Sequence, residues 1–130
     1  MKKVHGKTVI YILLILLPLM AFLIYNYFFN IYEVDYRTSD NKIFADGVST
    51  YTIEVVPLNG LGTEVPFRKV KTQFEIVKGK ELIEISKMDS ENGILIIKAQ
   101  NRTGEVEILV KPSLSLLPTK FIVYILPNYA

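Results

Sequence analysis

The chain has no cysteine, no tryptophan and a single histidine, His5. Without cysteine there is no disulfide framework, no thiol nucleophile, no cysteine–metal chemistry and no lipid attached through sulfur. His5 lies among the lysines of the N-terminal tail, as a solvated flank residue, so Ser–His and Cys–His nucleophilic sites are excluded from everything beyond that tail. Lack of tryptophan removes the largest aromatic platform a ligand could stack on. Charge is absent from one stretch as well. Residues 9–29 hold no Asp, Glu, Lys or Arg, and no acid precedes Glu33.

What fills that stretch is Leu, Ile, Val, Phe and Tyr, preceded by Lys2, Lys3 and Lys7. At about 1.5 Å per helical residue it spans about 32 Å, enough to cross a hydrocarbon core of about 30 Å. The expected span is residues 9–31, with Val9, Leu13, Leu17, Pro18, Phe22, Tyr25 and Phe29 among its lipid-facing or span-defining positions. Residues 1–8 form a basic tail held in the cytoplasm, which delivers residues 32–130 to the other side. A cleaved secretory signal is the competing reading. It calls for a shorter apolar core and small residues at the cleavage site. Here the far end reads Tyr25-Asn26-Tyr27-Phe28-Phe29-Asn30-Ile31-Tyr32, bulky throughout, which favours an uncleaved signal anchor. Tyr25, Tyr27 and Tyr32 suit the outer headgroup level, and Tyr11 the inner one. Pro18 cannot donate to the carbonyl of Leu14, and a modest kink is expected there. The span has no small-xxx-small pattern to specify helix pairing.

The net charge of +2 and pI of about 8.7 belong to the tail. Three of the fifteen basic residues and none of the thirteen acids precede residue 32, so the exported part carries twelve against thirteen. It has no electrostatic footprint for nucleic acid. About 100 residues suffice for one core and one small domain.

In that part the apolar period is two. Tyr51, Ile53 and Val55 alternate with Thr50, Thr52 and Glu54; Val70, Thr72, Phe74 and Ile76 with Lys71, Gln73 and Glu75; Val106, Ile108 and Val110 with Glu105, Glu107 and Lys111. Such segments are strands with one face in a core and one wet. Turn signals separate them at Asp46-Gly47, Asn59-Gly60-Leu61-Gly62, Lys78-Gly79, Glu91-Asn92-Gly93 and Thr103-Gly104. Seven strands are predicted, over 32–44, 49–57, 67–77, 81–87, 93–100, 104–111 and 120–127. The expected class is all-β, a seven-stranded immunoglobulin-like sandwich preceded by one transmembrane α-helix.

The run Ile43-Phe44-Ala45-Asp46-Gly47-Val48-Ser49-Thr50-Tyr51-Thr52-Ile53 resembles the opening of invasin/intimin-type bacterial immunoglobulin-like domains. Val65-Pro66 leading into Phe74, Asn92-Gly93-Ile94 and Thr103-Gly104-Glu105-Val106 look like later strand starts of the same family. The resemblance covers about residues 40–127 and consists mostly of turn glycines and core positions. It implies a spacer or binding module with no catalytic residues to carry over. A single copy behind a membrane helix departs from the tandem arrays typical of the family.

Other chemistry finds little support. Asp35, Asp40, Asp46, Asp89 and Glu91 suggest a calcium site only weakly, since calcium needs six to eight converging oxygens and no loop has EF-hand spacing; acids beside glycine are ordinary turn formers. Paired carboxylates for glycoside hydrolysis need a cleft that a minimal sandwich does not offer. No cofactor is expected. Asn101-Arg102-Thr103 matches a glycosylation pattern but is more simply a turn.

Two apolar features are unusual. Ile94 to Ile97 and Phe121 to Leu126 are continuously apolar, whereas a sandwich strand buries only alternate residues. An outward apolar row covered by a partner is one account, with Phe121, Val123 and Ile125 as candidate contacts; loop cover or a merely greasy surface is the other. The second feature is leucine in connections that return to the membrane-facing end: Leu58, Leu61, Leu114, Leu116 and Leu117. These either touch lipid or a partner, or fold back onto the end of the sandwich. The favoured function is a single-pass anchored extracytoplasmic module, a structural or protein-interaction subunit of the bacterial cell envelope, in contact with the lipid bilayer through residues 9–31 and with an envelope protein. The alternative is a cell-wall or polysaccharide-binding module, for which Tyr32, Tyr36, Tyr51, Tyr124 and Tyr129 are the available rings.

Overall fold

The computed structural model describes residues 2–128; Tyr129 lies outside the described residues. A helix, α1 (Lys2–Phe28), precedes eight strands: β1 (Glu33–Thr38), β2 (Lys42–Phe44), β3 (Thr50–Leu58), β4 (Thr72–Lys78), β5 (Ile83–Asp89), β6 (Ile94–Ala99), β7 (Gly104–Pro112) and β8 (Thr119–Leu126). One 3₁₀ turn, Lys80–Leu82, leads into β5.

From His5 to Phe28 α1 is long and apolar enough to cross a membrane, and none of that stretch is buried in the protein. It continues through Pro18 and ends three residues before the expected limit of the span at residue 31. Its last turn is closed by amides: Asn26 Nδ2 donates to the Phe22 carbonyl (2.8 Å) and Asn30 Nδ2 to Asn26 Oδ1 (2.9 Å). The Tyr25 carbonyl accepts from the N–H groups of both Phe29 and Asn30. The bonds to Tyr25 satisfy a carbonyl that a helix end otherwise leaves orphaned.

The strands form two four-stranded sheets, ordered β1-β3-β6-β5 and β2-β8-β7-β4. All pairings are antiparallel except β2 with β8. The expected first strand is thus divided, and eight strands replace seven. Ser39 and Asp40 cause the break. Ser39 Oγ accepts from Thr52 N–H and so ends β1, while Asp40 Oδ1 accepts from Lys42 N–H and turns the chain across to the second sheet. The strand expected from residue 67 begins only at Thr72, because Pro66 to Lys71 stay in a connection.

The core lies between the sheets: Ile43, Tyr51, Ile53, Val55, Leu95, Ile97, Val106, Ile108, Val110, Val123 and Ile125 are buried. Full burial of such a side chain stabilises by about 1.5–3 kcal/mol. Tyr36 of β1 meets Phe121 of β8 edge to face at 5.1 Å, and its hydroxyl lies 3.2 Å from Thr119 Oγ1. That contact ties the two sheets together.

The expected outward row on β8 has the opposite phase. Val123 and Ile125 are 0% and 2% exposed, and Phe121 packs against the core; Ile122, Tyr124 and Leu126 are the residues on the outer face. Val123 and Ile125 are therefore core residues, not contact residues. A run in which every residue is apolar carries no phase, and a one-residue slip exchanges the two faces.

Candidate functional site

Strand directions determine which loops share an end. α1 finishes at Phe28 and β1 starts at Glu33, paired with Leu58 at the end of β3. Thr72 at the start of β4 pairs with Pro112 at the end of β7. The 59–71 connection, the 90–93 turn and the 113–118 connection therefore all lie at the end from which α1 emerges. The 45–49 segment and the 100–103 turn occupy the opposite end.

Asn59 organises this end. It is 1% exposed, yet each polar atom of its side chain is used. Oδ1 accepts from the N–H groups of Leu61 (2.9 Å) and Thr63 (3.1 Å), while Nδ2 donates to Thr63 Oγ1 (2.7 Å) and to the Tyr27 carbonyl in the last turn of α1 (2.9 Å). A buried amide with complete hydrogen bonding is rigid and costly to break. Two further bonds reinforce the junction. Arg68 donates to the Phe29 carbonyl at 3.0 Å, and Tyr32 N–H donates to the Leu58 carbonyl at 2.8 Å. Phe67 stacks on Phe29 at 5.9 Å between ring centroids and packs on Phe28 at 6.0 Å with the ring planes tilted by 36°. A crevice of about 320 Å³ remains between α1 and the loop, lined by Leu23, Tyr27, Tyr32 and Leu61 among others.

Sequence reasoning found the turn at Asn59 and missed the clamp. An Asn ahead of Gly-Leu-Gly signals a side chain that holds its own turn; nothing in that signal names a carbonyl 32 residues upstream. Phe67 and Arg68 were hidden inside a predicted strand.

The loop leucines do not fold back onto the sandwich. Leu116 is 94% exposed, Leu117 78% and Leu61 77%, and Leu114 is also exposed. Leu58 differs: it is half-buried, because its carbonyl binds Tyr32 and it forms a bridge with Glu64. The 113–118 segment is a tight turn, closed by Ser115 N–H on the Pro112 carbonyl and tied to the neighbouring connection by Ser113 N–H on the Lys71 carbonyl. Exposed cations Lys69, Lys71 and Lys111 flank it, with Lys71 3.6 Å from Glu91.

The acids are turn acceptors. Asp46 takes the N–H groups of Val48 and Ser49 and the Ser49 hydroxyl, and the last of these leads in holding its carboxyl below the usual range. Asp89 is likewise lowered, chiefly by the Asn92 side chain at 2.7 Å. Among the described residues no three of His, Cys, Asp or Glu gather to hold a metal. The tyrosines are dispersed: Tyr51 is in the core, Tyr36 packs on Phe121, Tyr32 stands beside α1, and Tyr124 is on the outer face of the second sheet.

Protein-family models and curated proteins give no match to the chain. Solved structures match in fold. The D00–D0 domain structure of intimin superposes with a TM-score of 0.51 at 17% identity, over 75% of this chain and 50% of that one. The fold is that of the intimin-type immunoglobulin-like domain. Domains 4 and 5 of the S-layer protein SbsC match at 0.51, with 12% identity over 75% of this chain and 53% of that one. A glycosyl hydrolase family 2 member from Bacteroides cellulosilyticus matches at 0.55, with 14% identity over 76% of this chain and 14% of that one. The chain thus spans about half of the first two and a small part of the third. A fold shared by proteins so different does not by itself name a task.

Proposed function

We propose that the chain is a single-pass, membrane-anchored, extracytoplasmic immunoglobulin-like module that serves as a structural or protein-interaction subunit of the bacterial cell envelope. Residues 1–8 stay in the cytoplasm, residues 9–31 cross the inner membrane and residues 32–130 form the external domain. The observation that carries this reading is the junction. The buried Asn59 amide requires the Tyr27 carbonyl, and Arg68 requires that of Phe29. Cleavage after Tyr27, Phe28 or Phe29 would remove one or both of these hydrogen-bond partners from the folded domain, so an anchor that is retained is favoured over a signal cut at the end of the span.

An interaction role is supported by a groove between the open edges of the two sheets, where Phe74 and Ile76 of β4 face Ile85 and Met88 of β5 across about 320 Å³. Open edges and partly exposed apolar side chains are common features of surfaces that another protein covers. The alternative, a glycan-binding module, needs a shared platform of rings, and the dispersed tyrosines weigh against it.

The test is the mature protein in native membranes. The module resists extraction by alkaline carbonate, its intact mass includes residues 1–31, and protease added to spheroplasts digests the domain. A mass lacking the first thirty residues, or a domain that protease cannot reach, rejects the anchored topology. Retention of the solubilised protein on peptidoglycan beads, with no stoichiometric protein partner, favours the glycan alternative.

A further inference from the structure

The loops at the α1 end carry exposed leucines on turns that their own hydrogen bonds hold open to solvent. We infer that this end of the sandwich is a second membrane contact: Leu116, Leu117, Leu61 and Phe67 seat in the headgroup layer of the leaflet from which α1 emerges, and hold the domain upright on the bilayer. The inference rests on α1 being a membrane span.

Three observations commit the surface to lipid. The first is continuity. The apolar surface of α1 passes through Phe28 and Phe29 directly onto Phe67, so the exposed patch extends the span itself. The second is rigidity. Bonds from Asn59, Arg68 and Tyr32 leave no slack tether between the helix end and the sandwich, so a bilayer around α1 lies against this end of the domain. The third is charge. Lys69, Lys71 and Lys111 accompany the leucines, an arrangement that places apolar tips below the phosphates and cations level with them. Leu116, at 94% exposed, touches almost nothing else in the molecule. Turn leucines with no place in the core and a bilayer held beside them gain burial only by entering it.

Because the chain lacks tryptophan, any single Trp substitution is a lone fluorescent reporter. Three full-length variants are reconstituted in phosphatidylcholine vesicles with and without brominated lipid: Leu116→Trp at the site, Val48→Trp in an exposed position at the opposite end, and Phe22→Trp within α1. Leu117→Trp replaces Leu116→Trp should the latter lose its β-sheet circular dichroism. Expected are strong quenching at 22, quenching with a blue-shifted emission at 116, and an unquenched, solvent-like spectrum at 48. Quenching at 22 with 116 indistinguishable from 48 overturns the docking and leaves the anchor standing; a protein partner would then be the occupant of the leucine patch. No quenching at 22 removes the anchor, and the docking with it.

Discussion

At the scale of single residues, the motif positions behind the family resemblance act through geometry. Gly93 has φ +69°, and a Cβ there would sit 2.9 Å from the Val70 carbonyl oxygen and 3.0 Å from Val55 Cβ. Gly93→Ala is expected to cost at least about 1–2 kcal/mol, from the left-handed backbone alone, which is readable as a lowered midpoint in urea unfolding of the full chain in detergent. Asp46 explains the Asp-Gly-x-Ser element. Its carboxylate accepts three hydrogen bonds that tie the turn together, and these depress its pKa. A depressed carboxylate contributes stability at pH values above its unfolded value of about 3.9, and that contribution is lost as pH falls through the folded value. Asp46→Ala is therefore expected to melt below wild type at neutral pH, with the gap closing as pH drops below about 3.9. Melting curves across that range check it; a gap independent of pH would assign the loss to the turn's shape and not to its charge. These residues were legible in the sequence because their work is local. Asn59 was legible only by half, as a turn former.

At the scale of elements, period-two alternation located the strands wherever polar residues marked one face. Along β3, Tyr51, Ile53 and Val55 are buried as their Thr and Glu neighbours suggest. On β8 the marker is missing, and nothing in the run distinguishes the inward row from the outward one. Register resolves it: Val123 pairs with the buried Val106, and Tyr124 with the exposed Glu105. Two substitutions separate the faces. Val123→Thr preserves shape but buries a hydroxyl in the core, at an expected cost of about 1–3 kcal/mol. Tyr124→Thr stays on the outer face and is expected to cost about 1 kcal/mol or less. Equal costs in chemical unfolding would contradict the register. The split between β1 and β2 escaped prediction for a related reason: Ser39 and Asp40 are polar residues in an edge segment, and alternation cannot tell a solvent-facing position from a change of sheet.

At the scale of the whole molecule, the distinguishing property is that the helix and the sandwich are joined by specific bonds and not by a linker. Asn59→Leu keeps similar volume while removing every hydrogen bond of the amide, leaving the N–H groups of Leu61 and Thr63 and the Tyr27 carbonyl without that partner. A loss of about 1–3 kcal/mol is expected, and its location matters more than its size. The bulky segment between Phe29 and Tyr32 offers aromatic cleavage sites for chymotrypsin, and pinned backbone resists a protease that needs it extended. Where opening precedes cleavage, each 1.4 kcal/mol of local destabilisation speeds cutting about tenfold. In detergent the wild-type junction should be cut slowly and the Asn59→Leu junction about tenfold faster or more, releasing a sandwich that begins near residue 30. Val123→Thr is the control, because it weakens the core without touching the junction. Selective cutting in Asn59→Leu alone places the lost stability at the helix–domain joint. Equal cutting in both variants would mean that the joint opens only when the sandwich unfolds, and that Asn59 serves the loop but not the clamp.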